Sequence, residues 1–130
     1  MKSLIVEDDF VSRKILQKIL SRFGESDVAV DGKEALSAFD LALQENTRYD
    51  VICLDINLPF LDGQEVLKAI RARERDLGIH GLECVKVIMT TGRDDTASIL
   101  TAFREGCEAY VKKPFTREEI VSKLSDLGYE

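Results

Sequence analysis

Residues 51–63 read VICLDINLPFLDG, and this stretch decides the fold. Four apolar residues run directly into Asp55, and Pro59 ends the pattern four residues later. A short, continuous apolar run bounded by turn residues is typical of a strand that is covered on both faces of a parallel sheet. The sequence therefore places a carboxylate at the end of a buried strand, at the edge of the core.

Four further short apolar runs accompany this one, at residues 4–6, 28–30, 85–89 and 109–111. The runs at 4–6 and 85–89 are nearly continuous in apolar residues, which indicates central strands. The runs at 28–30 and 109–111 are weaker and are interpreted as edge strands.

Helical patterns alternate with these runs, because apolar residues recur there every three or four positions. The residues predicted to face the core are Val11, Ile15, Leu16, Ile19, Leu20 and Phe23, then Leu36, Phe39 and Leu43, then Val66, Leu67 and Ile70, then Ile99, Leu100 and Phe103, and finally Ile120, Leu124 and Leu127. Five strand–helix units in 130 residues predict an α/β fold, with a five-stranded parallel doubly wound sheet.

Turn residues mark the helix boundaries. Asp31 and Asp62 each precede a glycine and a helical pattern, so both are interpreted as helix caps. Thr116 and Glu119 have the spacing of a capping box. The charged run RARER, residues 71–75, is interpreted as a solvated helix face.

Length and charge narrow the class of protein. The 130 residues suit one domain, taken as residues 1–130. The net charge of −6 argues against nonspecific binding to nucleic acid or to an anionic membrane. Since the sequence contains neither a signal peptide nor an apolar run of about 18 residues, a cytoplasmic protein is expected.

The three cysteines, Cys53, Cys84 and Cys107, form no Cys-x-x-Cys pair. They are interpreted as small buried apolar residues in a reducing compartment. His80, the single histidine, is interpreted as an exposed loop residue.

Ionisable and hydroxyl side chains follow four of the predicted strands. They are Glu7, Asp8 and Asp9 after the first, Asp55 after the third, Thr90 and Thr91 after the fourth, and Lys112 and Lys113 after the fifth. Ligands of open parallel sheets bind at the carboxyl ends of the strands, so these residues are expected to share one edge.

Carboxylates at one edge need a counter-ion, since two of them about 5 Å apart repel by about 3 kcal/mol at an effective dielectric of about 20. Oxygen ligands without histidine or cysteine favour Mg²⁺, with Mn²⁺ as the alternative. Aspartate is a competent phosphoryl acceptor, and a lysine can hold the phosphoryl oxygens.

Four motifs in this order, IVEDD, LDINLPFLDG, MTTG and AYVKKPF, resemble the receiver domain of two-component response regulators. The resemblance covers essentially the whole chain, and the combination of four motifs at four strand ends makes it specific. It implies a flavodoxin-like fold with strand order 2-1-3-4-5, as in CheY-like single-domain receivers.

The resemblance also implies roles for individual residues. Asp55 is the expected phosphoacceptor. The implied metal ligands are Asp8, Asp55, the backbone carbonyl of Asn57, and Glu7 through a metal-bound water. Lys113 and Thr91 are expected to contact the phosphoryl group, and Tyr110 is expected to turn inward as a switch residue when Thr91 moves.

Three assignments depend on register. Glu7 and Asp8 are taken as the acidic pair because the family's pair directly follows the last aliphatic residue of the strand; Asp8 with Asp9 is the alternative. Thr91 is preferred to Thr90 because a small residue follows it. Lys113 is preferred to its neighbour because it directly precedes a proline, whose peptide bond is cis in this family.

The implied function is a phosphorylation-activated switch that accepts a phosphoryl group from a histidine kinase or a phosphotransfer protein. The surface of the fourth helix, fifth strand and fifth helix would then control a partner or dimerisation of an otherwise monomeric chain. The receiver would catalyse its own phosphotransfer and slow dephosphorylation without being an enzyme for other substrates. Direct binding to nucleic acid or membranes is not expected.

Two regions depart from the family pattern. The segment between Gly63 and the fourth strand is longer than usual and is interpreted as an extended third helix plus a loop. Arg93 lies at a variable position near the pocket mouth, where with Asn57 it is a candidate for tuning phosphate hydrolysis.

Other interpretations stay open. The chain is a stand-alone receiver, a phosphorelay intermediate or a fragment of a longer regulator; a last helix that ends near Gly128 favours a natural terminus. A phosphatase of the haloacid dehalogenase type would need a second acid where Asn57 stands. A flavodoxin-like nucleotide-binding module would need a phosphate loop where Glu7, Asp8 and Asp9 would repel phosphate.

Overall fold

The computed structural model describes residues 1–92 and 96–129, without the side chain of Thr96. Arg93 therefore lies outside the described residues. The strands are β1 Ser3–Val6, β2 Ser26–Ala29, β3 Val51–Asp55, β4 Lys86–Thr91 and β5 Ala109–Lys112. The helices are α1 Phe10–Leu20, α2 Gly32–Gln44, α3 Gly63–Asp76, α4 Thr96–Arg104 and α5 Arg117–Asp126, and a 3-10 turn spans Gly81–Glu83.

All five strands pair in parallel, in the order β2-β1-β3-β4-β5. This confirms the predicted doubly wound α/β fold and its strand order. The strand bounds differ slightly from the prediction, since β2 begins at Ser26 and β4 continues through Thr91. Because β4 is longer, Thr90 lies beside Asp55 in the register of β3 and β4.

The core has two apolar layers, one on each face of the sheet. Side chains of alternate strand residues enter opposite layers, so Ile52 packs with α2 and α3 while Cys53 packs with α1 and α5. The third helical stripe, Val66, Leu67 and Ile70, is fully buried as predicted. Helices on both faces explain why the central strands are continuously apolar.

Helix α1 buries only part of the predicted face. Val11 is 63% exposed and Ile15 is 42% exposed, whereas Leu16 and Leu20 are buried. Residues spaced by four drift around a helix by about 40° at each step, because each residue turns about 100°. A stripe of that spacing consequently leaves the core towards the start of α1.

Helix α4 also differs from the prediction. Leu100 is 55% exposed and Phe103 is 44% exposed, whereas Ala102 is fully buried. Ala102 packs into the core layer that contains α2 and α3, whereas the two larger side chains lie outside it.

The predicted caps are confirmed. Asp31 and Asp62 accept hydrogen bonds from the backbone N–H groups of Glu34 and Glu65, and Thr116 forms the capping box with Glu119. The third helix is extended and a loop with a short 3-10 turn follows it, as predicted.

The interpretation of residues 71–75 as a solvated face is wrong for two of them. The side chains of Arg71 and Glu74 are only 12% and 3% exposed, and they form an ion pair at 2.6 Å. Arg71 also donates to Glu108, and Glu74 accepts the Val85 N–H at 2.7 Å. This charged cluster is buried because it satisfies backbone groups at the amino ends of β4 and β5.

The remaining sequence expectations concern single residues. Cys53 and Cys107 are buried, Cys84 is half-buried, and none of the three forms a disulfide. Burial raises the pKa of the Cys53 thiol to about 12. His80 is exposed, as expected. Within residues 1–92 and 96–129, no helix has the length and apolar character that a membrane crossing requires.

Gly63 lies directly against the end of β3, where a Cβ atom would stand 2.3 Å from the carbonyl oxygen of Asp55. We expect Gly63→Ala to lower the free energy of unfolding by about 1–3 kcal/mol, because the atom it meets is backbone. Urea unfolding measures this change. Gly92→Ala is the matched control, since nothing lies within 4 Å of its Cβ position; equal losses in both variants would contradict the packing argument.

Candidate functional site

Three carboxyl groups meet where β1 and β3 end. The two strands are neighbours, with Val6 paired to Leu54, so the residues that follow them are adjacent. One carboxylate oxygen each from Glu7, Asp8 and Asp55 lies within 4.8 Å of the others. Glu7 is fully buried and Asp55 is 3% exposed, whereas Asp8 is exposed. The cluster is therefore buried on its inner side and open to solvent at Asp8.

Lys113 brings a positive charge to this cluster from the other side of β4. Its Nζ lies 2.6 Å from Oε1 of Glu7 and 3.2 Å from Oδ2 of Asp55. The Lys113 N–H donates to the Thr91 carbonyl at 2.6 Å, which continues the pairing of β4 with β5 by one residue. The Lys113–Pro114 peptide bond is cis. The side chain thus crosses the end of β4 to reach the acids.

Burial is the main cause of the shift in the pKa of Glu7. It raises the pKa of Glu7 to about 7; Lys113 opposes the shift, and the nearby Asp55 adds to it. Burial alone would lower the pKa of Lys113, but the two carboxylates outweigh it and raise that pKa overall. At neutral pH Lys113 is therefore charged, and in the part of the chain that the structure describes its ammonium group stands against the cluster of three carboxyl groups.

Asp9 serves helix α1 instead of the carboxylate cluster. Its side chain accepts the Ser12 N–H at 2.9 Å, and this bond to the backbone lowers the pKa of Asp9. The Asp9 N–H donates to Oε2 of Glu7 at 3.2 Å. The start of α1 is consequently tied to the buried acid.

The loop after β3 forms hydrogen bonds back to the end of that strand. Asn57 is exposed, and its N–H donates to Oδ1 of Asp55 at 3.0 Å. The Ile56 N–H donates to the Thr90 carbonyl at 3.0 Å, and the Gly63 N–H returns to the Ile56 carbonyl at 2.8 Å. These bonds orient the Asp55 carboxylate and hold Asn57 beside it.

Thr91 and Tyr110 lie on β4 and β5, the two strands on one side of β3. Thr91 is 1% exposed and ends β4, one strand away from Asp55. Tyr110 is half-buried in β5, and its ring packs edge-on against Phe103 of α4, with centroids 5.9 Å apart. Thr91 thus lies at the carboxyl ends of the strands, as the acids do. Tyr110 connects β5 to α4 through its contact with Phe103.

Sequence reasoning missed two features of this edge. Arg13 donates to the carbonyls of Glu7 and Asp8 at 3.2 and 3.4 Å, and no sequence pattern signals a contact with backbone carbonyls. Phe60 is 88% exposed at φ +68°, in the left-handed region that bulky residues avoid. The apolar residue after Pro59, within a turn, was the available signal for Phe60.

Residues 3–125 match the family model of the response regulator receiver domain. The chain is 33% identical over 127 residues to a chemotaxis protein CheY homolog of Campylobacter jejuni, covering 98% of this chain and 92% of that protein. It is 32% identical over 124 residues to the chemotaxis protein CheY1 of Helicobacter pylori, covering 95% and 94%.

Solved structures agree with these sequence relatives. The chemotaxis protein CheY4 of Vibrio cholerae superposes with a TM-score of 0.80 at 27% identity, covering 97% of each chain. A BeF3-activated DrrB receiver domain superposes with a TM-score of 0.77 at 25% identity, covering 97% of this chain and 95% of that one. The family match, the relatives above 30% identity and the shared topology together show that the chain belongs to the response regulator receiver domain family.

Proposed function

We propose that this chain is a phosphorylation-activated switch in which Asp55 accepts the phosphoryl group. The observation that carries the proposal is the convergence of Glu7, Asp8 and Asp55 within 4.8 Å, with Lys113 in contact with two of them. CheY-like response regulators are phosphorylated by histidine kinases. A histidine kinase, or a histidine phosphotransfer protein, is therefore the proposed donor.

The carboxylate cluster fits a magnesium ion, as receiver domains bind Mg²⁺ at an acidic pocket. All the candidate ligands are oxygens, and one carboxylate oxygen from each of the three acids lies within 4.8 Å of the others, which suits a hard divalent cation. Asp8, Asp55 and the Asn57 carbonyl are the proposed direct ligands, and Glu7 acts through a water; Mn²⁺ is the alternative. When bound, the ion offsets the negative charge of the carboxylates and of the incoming phosphoryl oxygens.

Asp55 is held in a position from which one carboxylate oxygen can attack phosphorus. Its two oxygens accept hydrogen bonds from the Asn57 N–H and from Lys113, which fixes the plane of the group. In the proposed step an Asp55 oxygen forms the new P–O bond while the P–N bond to the donor histidine breaks, and the imidazole leaves with the electron pair. Lys113 then pairs with the phosphoryl oxygens, and the Thr91 hydroxyl donates to one of them.

The proposed readout surface consists of α4, β5 and α5. Movement of Thr91 towards the phosphoryl group makes room for Tyr110, whose ring packs against Phe103. Phe103 and Leu100 are exposed apolar side chains on α4 that a partner, or a second copy of the chain, can contact. A ligand shifts such a surface only by its differential affinity for the two states. The chain itself catalyses the transfer and the slow loss of the phosphoryl group.

The role of Asp55 is tested by labelling with acetyl phosphate and Mg²⁺, followed by intact-mass spectrometry. Asp55→Asn is expected to abolish the labelling, because an amide cannot accept the phosphoryl group as a carboxylate does. Lys113→Ala is expected to slow it by about tenfold or more, since a cation that stabilises the transferring group is lost.

Asp62→Asn is the matched control for Asp55→Asn. Asp62 caps α3 through the Glu65 N–H at 3.0 Å, and asparagine caps equally well, so labelling is expected to be unchanged. Labelling of Asp55→Asn at the level of the unmodified chain would contradict the proposal. Rapid turnover of p-nitrophenyl phosphate would instead indicate a phosphatase.

The raised pKa of Glu7 predicts a pH-dependent affinity for Mg²⁺. Because the Glu7 pKa is about 7, ion binding displaces a proton at lower pH. The apparent affinity is expected to rise by up to about tenfold per pH unit below about pH 7 and to level off above it. Calorimetric titration measures this dependence, and Glu7→Gln is expected to flatten it; an equal slope in Glu7→Gln would assign the proton to another group.

In the ion-free protein, the contribution of Glu7 to the free energy of unfolding is expected to fall as the pH rises, whereas the affinity for Mg²⁺ rises. Its pKa is higher in the folded protein than the ordinary value of 4.5, so the folded state binds the proton more tightly. The contribution of Glu7 is complete below pH 4.5 and is lost as the pH rises through about 7. Thermal unfolding with a chelator is expected to show this loss in the unmodified chain relative to Glu7→Gln.

A further inference from the structure

Helix α3 presents three polar side chains to α4, and they are spaced so that they lie along one face. Each contacts α4 or the turn that follows it: Gln64 with Ser98, Lys68 with Glu105, and Arg71 with Gly106. The row runs from the first half of α4 to its end. Polar contacts of different strength therefore help to position α4 relative to α3, beside the apolar packing of Ala102.

The Arg71 end of this row is an anchor. Two guanidinium nitrogens of Arg71 donate to the Gly106 carbonyl, at 2.7 and 3.1 Å. The same group bonds Glu74, Glu108 and the Val85 carbonyl at distances from 2.6 to 3.0 Å. Charge-assisted bonds of a buried arginine are strong, so the carboxyl end of α4 is held firmly.

The Lys68 contact in the middle of the row is weak. Its Nζ lies 3.7 Å from Oε1 of Glu105, and the lysine side chain is 62% exposed. An exposed ion pair of this kind contributes little to stability. Lys68 therefore offers a control at the same helix face.

Gln64 holds the first half of α4 by a neutral hydrogen bond. Its Nε2 donates to the Ser98 carbonyl at 2.8 Å. Its Oε1 is buried and has no hydrogen-bond partner among residues 1–92 and 96–129. A buried acceptor without a donor is unfavourable, and an apolar side chain of the same size would avoid it. Gln64 thus departs from the rule that buried polar atoms are hydrogen-bonded, and it is also the residue whose side chain bonds α3 to the first half of α4. Such departures are expected at functional sites.

The backbone before Gln64 is fixed to the phosphoacceptor strand. Gly63 packs against the Asp55 carbonyl so closely that a side chain is excluded, and its N–H bonds the Ile56 carbonyl at 2.8 Å. Gln64 follows directly and reaches Ser98. Only the Gly63 backbone and one side-chain hydrogen bond separate Asp55 from α4 along this route.

We infer that Gln64 is a positioning residue that holds α4 in its resting place, and that phosphorylation of Asp55 releases its bond to Ser98. The carboxyl end of α4 stays anchored by Arg71, so the helix turns about that end. This inference rests on the proposed function, because it concerns the change that the phosphoryl group causes. By linkage, a residue that stabilises the resting state opposes binding of a phosphoryl analogue.

The test replaces Gln64 by methionine, which has a similar length but no donor. Beryllofluoride with Mg²⁺ serves as the phosphoryl analogue, and NMR titration gives its affinity. Gln64→Met is expected to bind it about two- to tenfold more tightly than the unmodified chain, which is the effect of losing one hydrogen bond from the resting state alone. Its resistance to urea without the analogue is expected to fall slightly, because the resting state loses this bond; a purely structural role would destabilise both states equally and leave the affinity unchanged.

Lys68→Met is the matched control, and its affinity is expected to equal that of the unmodified chain. Equal affinity in Gln64→Met, or weaker affinity, would overturn the inference while leaving the proposed function intact. If the unmodified chain shows no Mg²⁺-dependent response to beryllofluoride, the proposed function itself fails.

A second measurement needs no variant. The side-chain amide resonances of Gln64 in the unmodified chain report whether Nε2 is hydrogen-bonded. Saturation with beryllofluoride and Mg²⁺ is expected to move them to the positions of a solvent-exposed glutamine. Resonances that keep their bonded positions at saturation would show that the bond persists in both states and would overturn the inference.

Discussion

Three carboxyl groups facing one ammonium group form the constraint on which the rest of this structure depends. Glu7 and Asp55 are buried in the protein interior, which screens charge less than water does. Their mutual repulsion is therefore stronger than it would be on an open surface. The surrounding structure keeps them together: Asp9 ties the start of α1 to Glu7, Gly63 closes the loop after β3, and Lys113 reaches across the end of β4.

The elements that the sequence predicts well are those whose burial is complete. Residues 51–54 and 85–89 are covered on both faces, so their apolar runs identify central strands directly. The acids and the lysine were found because parallel strands deliver whatever follows them to one edge. The inward face of α1 was predicted only in part, and that of α4 was predicted wrongly. Partly exposed helices carry apolar residues on more than one side, and only tertiary packing decides which side is buried.

Side chains that bond backbone groups of distant segments escaped sequence reasoning altogether. Arg71 lies in a run of charges that resembles a solvated helix face, yet its partners are carbonyls at residues 85 and 106. The identity of a carbonyl carries no sequence information, since every residue has one. Gln64 was missed for the same reason, because its partner is the main chain of Ser98.

The pair of Arg71 and Glu74 ties α3 to the start of β4, and Arg71 also ties it to the turn after α4. These contacts lie at the amino ends of β4 and β5, whereas the carboxylates lie at the carboxyl ends of the strands. Helix α4 has nine residues and is about 13 Å long, and its carboxyl end lies at this braced end of the molecule. If α4 turns about that end as proposed, a tilt of about 5° would displace its far tip by about 1 Å.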